Sequence, residues 1–137
     1  MKAKIERRNQ AFHFETKFGS HSVHIDGNPA IGGEDKGVRP MQLMLAGIGG
    51  CVSIDLGLIL EKQRQVLNDY NITVHGERHE DGAKAFKSIH LEFCLKGILD
   101  EKKTERAIDL AINKYCSAIQ SLDKSIKISS EFRIETD

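Results

Sequence analysis

Apolar and polar positions alternate through the first 26 residues, then give way after a glycine-rich interval to an almost unbroken apolar stretch. In FHFETKF, Phe12, Phe14 and Phe18 share one face with Thr16, while His13, Glu15 and Lys17 take the other. SVHID continues with Val23 and Ile25 inward. A period of two marks half-buried antiparallel strands. FGSH and DGN supply turn signals, so two or three strands are expected here, one of them around Lys4 to Arg8. Residues 27–38 form a loop rich in Gly, with Asp35. Pro40 then opens a helix, where its missing N–H has no helical partner to lose. The helix is expected to run to about Arg64, turning polar at EKQRQ and breaking at NDYN.

Two more strands follow. YNITVHGERHE buries Tyr70, Ile72 and Val74, and SIHLEFCLKG alternates cleanly, with Ile89, Leu91, Phe93 and Leu95 against His90, Glu92, Cys94 and Lys96. EDGAKA between them reads as a hairpin turn. A second helix starts after its N-cap Asp100, with Ile108, Ile112, Tyr115 and Ile119 at helical spacing on one side, and it either ends or restarts around KYCSAIQSL. SIKISSEFRIE closes the chain as a strand with Ile126, Ile128, Phe132 and Ile134 inward. The order β-β-β-α-β-β-α-β groups its strands rather than alternating them with helices, which places the chain in the α+β class as a single domain over residues 1–137.

Composition narrows the function. Twenty basic and twenty acidic side chains cancel, with no run of like charge. Nucleic-acid binding and polybasic membrane binding both need a cationic footprint, so neither partner is expected. The amino terminus, MKAKIERRNQ, is charged and lacks the apolar core of a secretory signal. Three cysteines without a C-x-x-C argue against a disulfide scaffold or structural zinc. The uninterrupted apolar run, Leu43 to Val52, is shorter than the roughly 20 residues of a membrane span. A cytoplasmic protein with reduced thiols is expected.

The apolar helix poses a physical problem. It is apolar nearly all round and so must be buried all round. It also carries Gly47, Gly49, Gly50 and Gly57, together costing about 4 kcal/mol of helix propensity relative to alanine. Close packing against another element must offset that cost. The same helix of a second subunit in an isologous dimer meets the need best; a helix buried within one chain is the other solution.

Cys51 sits in the middle of this helix and Cys116 at the end of the second, 65 residues away. Spacing alone does not bring them together. Cys94, on the polar strand face, has no partner in the pattern and is given no role. The stretch GGEDKGVRPMQLMLAGIGGCVSIDLGLILEKQRQ followed by KYCSA resembles the OsmC/Ohr family of organic hydroperoxide reductases, its YhfA-like subgroup in particular, over essentially the whole chain. The resemblance implies an intertwined α+β homodimer around central helices, with two active sites at its interface. It implies that Cys51 is the thiol that attacks the peroxide and Cys116 the one that resolves it. No metal, haem or flavin is implied, and the partners are a small-molecule hydroperoxide and an external dithiol reductant.

The chain departs from the family at one point. The resemblance implies an arginine paired with a glutamate early in the cysteine's helix; Met41 and Gln42 occupy those positions, and the arginine has no clear counterpart. An apolar helix interior raises a thiol's pKa, so a cation must be supplied. Arg39 and Lys17 are the candidate cations, and Gln42 is a neutral candidate for supporting the thiolate. Twelve residues of helix span roughly 18 Å, so Arg39 or Gln42 could serve only the thiol of another subunit. Asp55, one turn after Cys51, reads as a hydrogen-bonded structural residue. His13 and His24 fall on solvent faces, and His75 and His79 lie on a strand, where a spacing of four does not bring them together as on a helix. No metal site is expected. The leading reading is a thiol-dependent peroxidase for organic hydroperoxides. The alternative is a non-catalytic protein of the same fold that binds a small apolar or electrophilic ligand at the dimer interface.

Overall fold

A computed structural model describes residues 1–136. The chain forms two compact units, Met1–Met44 and Leu45–Asp137. In the first, β1 (Lys4–Arg7), β2 (Phe14–Phe18) and β3 (His21–Ile25) make a three-stranded antiparallel sheet in chain order. Thr16 is buried and Phe14 half-buried, but Phe12 and Phe18 stay exposed, against the expected inward face. Three short strands and a loop provide no layer of their own to cover them.

The loop after β3 is organised by one buried carboxylate. Asp26 accepts from the N–H groups of Gly27 (2.7 Å), Glu34 (3.1 Å) and Lys36 (3.1 Å). Burial alone would raise its pKa; these three bonds outweigh that and hold it below the usual carboxylate value. Gly33 and Gly37 let the loop fold back on itself, since an added Cβ would lie 1.8 Å from Gly27 O and 2.4 Å from the His24 carbonyl carbon.

The second unit holds β4 (Val66–Arg78), β5 (Phe86–Ile98) and β6 (Lys127–Glu135) in one sheet, ordered β4-β5-β6. β4 and β5 pair as an antiparallel hairpin and β6 runs parallel to β5. A parallel neighbour needs a long crossover. Here it comprises α2 (Glu101–Leu110), a π-helical turn (Ala111–Tyr115) and the short α3 (Ser117–Gln120). Asp100 caps α2 as expected, accepting from Lys103 N–H at 2.8 Å. The element order and α+β class match the sequence reading, with short helical turns added.

Helix α1 (Pro40–Lys62) stops earlier than expected. Arg64 adopts a left-handed conformation, φ +57°, and Gln65 N–H closes the end on Leu60 O at 3.2 Å. NDYN is therefore part of β4, which begins at Val66, and a bulge lies between Leu67 and Asp69. Opposite the bulge, Gly97 has φ +149°, and an added Cβ would lie 2.2 Å from Val66 O.

The core of this unit combines Ile48, Val52, Leu56 and Leu60 of α1, Ile89, Leu91, Phe93 and Leu95 of β5, and Ala107, Ile108, Ala111 and Ile112 of the crossover. The inward face expected for β5 is thus fully borne out. By length and composition α1 could cross a membrane, yet one face of it is packed on β4. Tyr70 donates its hydroxyl to Ser53 O at 2.7 Å. A Cβ on Gly49 would meet Val74 Cγ2 at 2.8 Å, and one on Gly57 would meet Tyr70 Oη at 2.9 Å. Outside these contacts α1 carries Gly47 and Gly50, beside which lies open space, and the exposed Met44 (45%), Ile54 (67%) and Leu58 (52%).

Candidate active site

The π-helical turn decides where the second thiol lies. In an uninterrupted α-helix Ile108, Ile112, Tyr115 and Ile119 would share one buried face. The π turn inserts an extra residue, closed by Cys116 N–H on Ala111 O at 3.0 Å. The register shifts, Tyr115 turns outward to 51% exposure, and Cys116 becomes fully buried. The expectation of an inward Tyr115 fails for this reason. Cys116 then caps α3, its sulfur accepting from Ile119 N–H at 3.3 Å.

Cys51, midway along α1 and half-buried, meets this corner. Its Sγ lies 3.7 Å from Ser117 Oγ. The backbone N–H groups of Ala118 and Ser117 and the Cys116 thiol also favour its charged form. Together they hold the Cys51 thiol below the ordinary cysteine value. The Ala118 N–H is the largest influence and by itself outweighs the opposing effect of burial; the Ser117 and Cys116 groups add to it. Cys116 behaves oppositely. Its pKa is raised to about 11: burial pushes it up most, the Ile119 N–H pulls back, and the adjacent Cys51 raises it further by accepting a hydrogen bond from the protonated thiol and by carrying charge. One thiol is thus prepared to ionise while its neighbour stays protonated and donates to it. All three cysteines are free.

The remaining candidates have other partners. Asp55 Oδ2 lies 4.0 Å from Cys51 Sγ, a long contact. Arg39 pairs with Asp35 at 3.1 Å and donates to Gly37 O at 2.9 Å. Gln42 Oε1 accepts from Arg39 N–H at 3.0 Å, closing the start of α1. Lys17 pairs with Glu6 at 3.4 Å. Cys94 is buried, paired in register with Asn71 and Arg133.

Sequence reasoning asked for a cation and overlooked neutral donors. The strongest effects lowering the Cys51 pKa come from Ala118, Ser117 and Cys116. The available signal was KYCSA itself: a cysteine capping a helical turn is followed by backbone N–H groups that have no helical acceptor.

Comparison with known proteins places this arrangement. The family model for OsmC-like proteins matches residues 33–131. Protein YhfA of Escherichia coli K12 is 35% identical over 115 residues, covering 83% of each chain. The organic hydroperoxide resistance protein-like chain of Staphylococcus aureus USA300 is 24% identical over 132 residues, covering 86% of this chain and 94% of its own. The crystal structure of the OsmC-like protein from Mycoplasma pneumoniae superposes with a TM-score of 0.82 at 18% identity, covering 98% and 97% of the two chains. With its fold and most of its length accounted for in this way, the chain belongs to the OsmC-like protein family.

Proposed function

We propose that this chain is a thiol-dependent peroxidase that reduces organic hydroperoxides to alcohols, acting as a homodimer in a reducing, cytoplasmic setting. One observation carries the reading: Cys51 Sγ lies among the donors of Cys116, Ser117 and Ala118, next to a second, buried thiol. The name of the S. aureus relative, organic hydroperoxide resistance protein-like, supports the substrate class.

The chemistry follows from the two environments. The Cys51 thiolate bonds to one peroxide oxygen as the O–O bond breaks. The leaving alkoxide takes a proton and departs as the alcohol, and the sulfur, oxidised by two electrons, becomes a sulfenic acid. The negative charge on Cys51, which added to burial in keeping Cys116 protonated, is then gone. Cys116 loses its proton, attacks the Cys51 sulfur and expels hydroxide, which leaves as water. The resulting disulfide is reduced by exchange with an external dithiol. The environments therefore impose the order of the steps.

The dimer rests on α1. Gly47 and Gly50 leave room for a second backbone, and Met44, Ile54 and Leu58 extend the same uncovered apolar face. Cys51 borders that face, and an apolar wall beside the thiol favours alkyl hydroperoxides over hydrogen peroxide.

The test is a thiol count by mass spectrometry after one equivalent of cumene hydroperoxide, with Cys51→Ser and Cys116→Ser beside the parent chain. A Cys51–Cys116 disulfide in the parent, none in Cys51→Ser, and a trapped sulfenic acid in Cys116→Ser are expected. Three intact thiols in the parent would overturn the peroxidase reading in favour of non-catalytic ligand binding.

A further inference from the structure

A second group of reactive side chains lies on the β4-β5-β6 sheet, on the face opposite Ile89, Leu91 and Phe93. His75 and His90 are register partners across β4 and β5, with ring centroids 6.2 Å apart. Glu92 and Glu131 are register partners across β5 and β6. Diagonal contacts join the two rows: His75 Nε2 lies 3.1 Å from Glu92 Oε1, and His90 Nε2 lies 3.1 Å from Glu131 Oε1. The donor atoms of His90, Glu92 and Glu131 all fall within 4.8 Å of one another. Among the described residues, neither carboxylate has a lysine or arginine within ion-pair distance.

We propose that His75, His90, Glu92 and Glu131 form a four-ligand site for a zinc-like divalent transition-metal ion that ties the three strands together. Two imidazoles and two carboxylates suit this class of ion. A tetrahedral zinc with bonds of about 2.0–2.1 Å separates its ligand atoms by roughly 3.3 Å; two of the pairs already stand at 3.1 Å, and His75, which lies outside the cluster of three and pairs with Glu92, completes the set by turning its exposed ring. A second, independent feature points the same way. Ser129 Oγ lies 2.7 Å from His90 Nδ1, the outer hydrogen bond by which ligating histidines are usually held in orientation. With four protein ligands the site is closed, so its role is to brace the sheet, apart from the thiol chemistry. Sequence periodicity could not show it, because His75 and His90 are brought together by strand pairing and not by spacing along the chain.

The test is calorimetric titration of zinc chloride into the full chain carrying Cys51→Ser and Cys116→Ser, which removes the thiol pair as a competing site. One equivalent should bind. His90→Ala should weaken binding by at least about 100-fold and Ser129→Ala by about tenfold, with His79→Ala unchanged as a nearby control. Cobalt(II) at the same site should lack the near-ultraviolet sulfur-to-metal band that a thiolate ligand gives. Absence of saturable binding, equal affinity in His90→Ala, or a sulfur-to-cobalt band would each overturn the proposal. Circular dichroism of each variant separates loss of ligand from loss of fold.

Discussion

Replacing Ala118 by proline removes one hydrogen, the N–H that contributes most to lowering the Cys51 pKa. Ala118 is the second residue of α3, after the cap Cys116. A helix's first turn tolerates proline because its N–H groups lack helical acceptors; here the acceptor lost is the Cys51 sulfur. A hydrogen bond to a charged group contributes about 1.5–3 kcal/mol. Cys51 is only half-buried, and water replaces part of the loss, so the lower end applies. At about 1.4 kcal/mol per tenfold, thiolate abundance near neutral pH should fall about tenfold. The assay is the rate of Cys51 alkylation by iodoacetamide across pH, in a Cys94→Ser, Cys116→Ser background. The N–H favours the charged form, so its removal moves the midpoint upward. The two rate curves must diverge at neutral pH and converge in alkali, where both thiols are ionised. A folded Ala118→Pro chain with an unshifted midpoint would refute the claim that this corner activates Cys51.

Two further outcomes follow from the same geometry. Cys116, raised from 9.0 to about 11, binds its proton more tightly folded than unfolded. Its contribution is therefore fully present below about pH 9 and lost as pH climbs toward 11; denaturant titrations should show a decline on the order of 2 kcal/mol that Cys116→Ala lacks. Gly49→Ala and Gly50→Ala should separate packing within the chain from packing between chains. Gly49→Ala, with Val74 Cγ2 at 2.8 Å, should lower the melting temperature. Gly50→Ala, with nothing within 4 Å, should weaken the dimer in analytical ultracentrifugation even though alanine favours helix by about 1 kcal/mol; an unchanged association constant would exclude this face as the seam.

Much of the architecture was legible because burial leaves a periodic trace. β5 has its four alternate apolar residues at the core, and Asp100 caps its helix. The failures lie where local geometry overrides period. One π turn moves Tyr115 out and Cys116 in. A left-handed Arg64 ends α1 ahead of NDYN, and a bulge lets those residues begin β4. The glycines divide in a way that composition could not reveal: Gly49 and Gly57 serve β4, while Gly47 and Gly50 do not. The thiol pair was reached through a family resemblance and not from spacing, since a separation of 65 residues says nothing about proximity. The donors at Ser117 and Ala118 escaped because backbone N–H groups have no letter in the sequence.

Activation by neutral donors has a consequence that activation by a cation does not. An exposed arginine or lysine acts through a field that salt screens; the Debye length falls from about 10 Å at 0.1 M to about 3 Å at 1 M. The N–H groups of Ser117 and Ala118 and the Ser117 hydroxyl act by direct contact, at a range that mobile ions do not enter. The chain carries no net charge, so it adds no net attraction for the thiolate that salt would screen. The pH midpoint for Cys51 alkylation should therefore stay fixed between about 0.1 and 1 M sodium chloride. A midpoint that climbs with salt would mean that a charged side chain, with Arg39 the first to replace, supplies the support here assigned to the Cys116–Ala118 corner. The thiolate would then depend on a group whose partner within the first unit is Asp35, and Arg39→Ala would reproduce the high-salt midpoint at low salt.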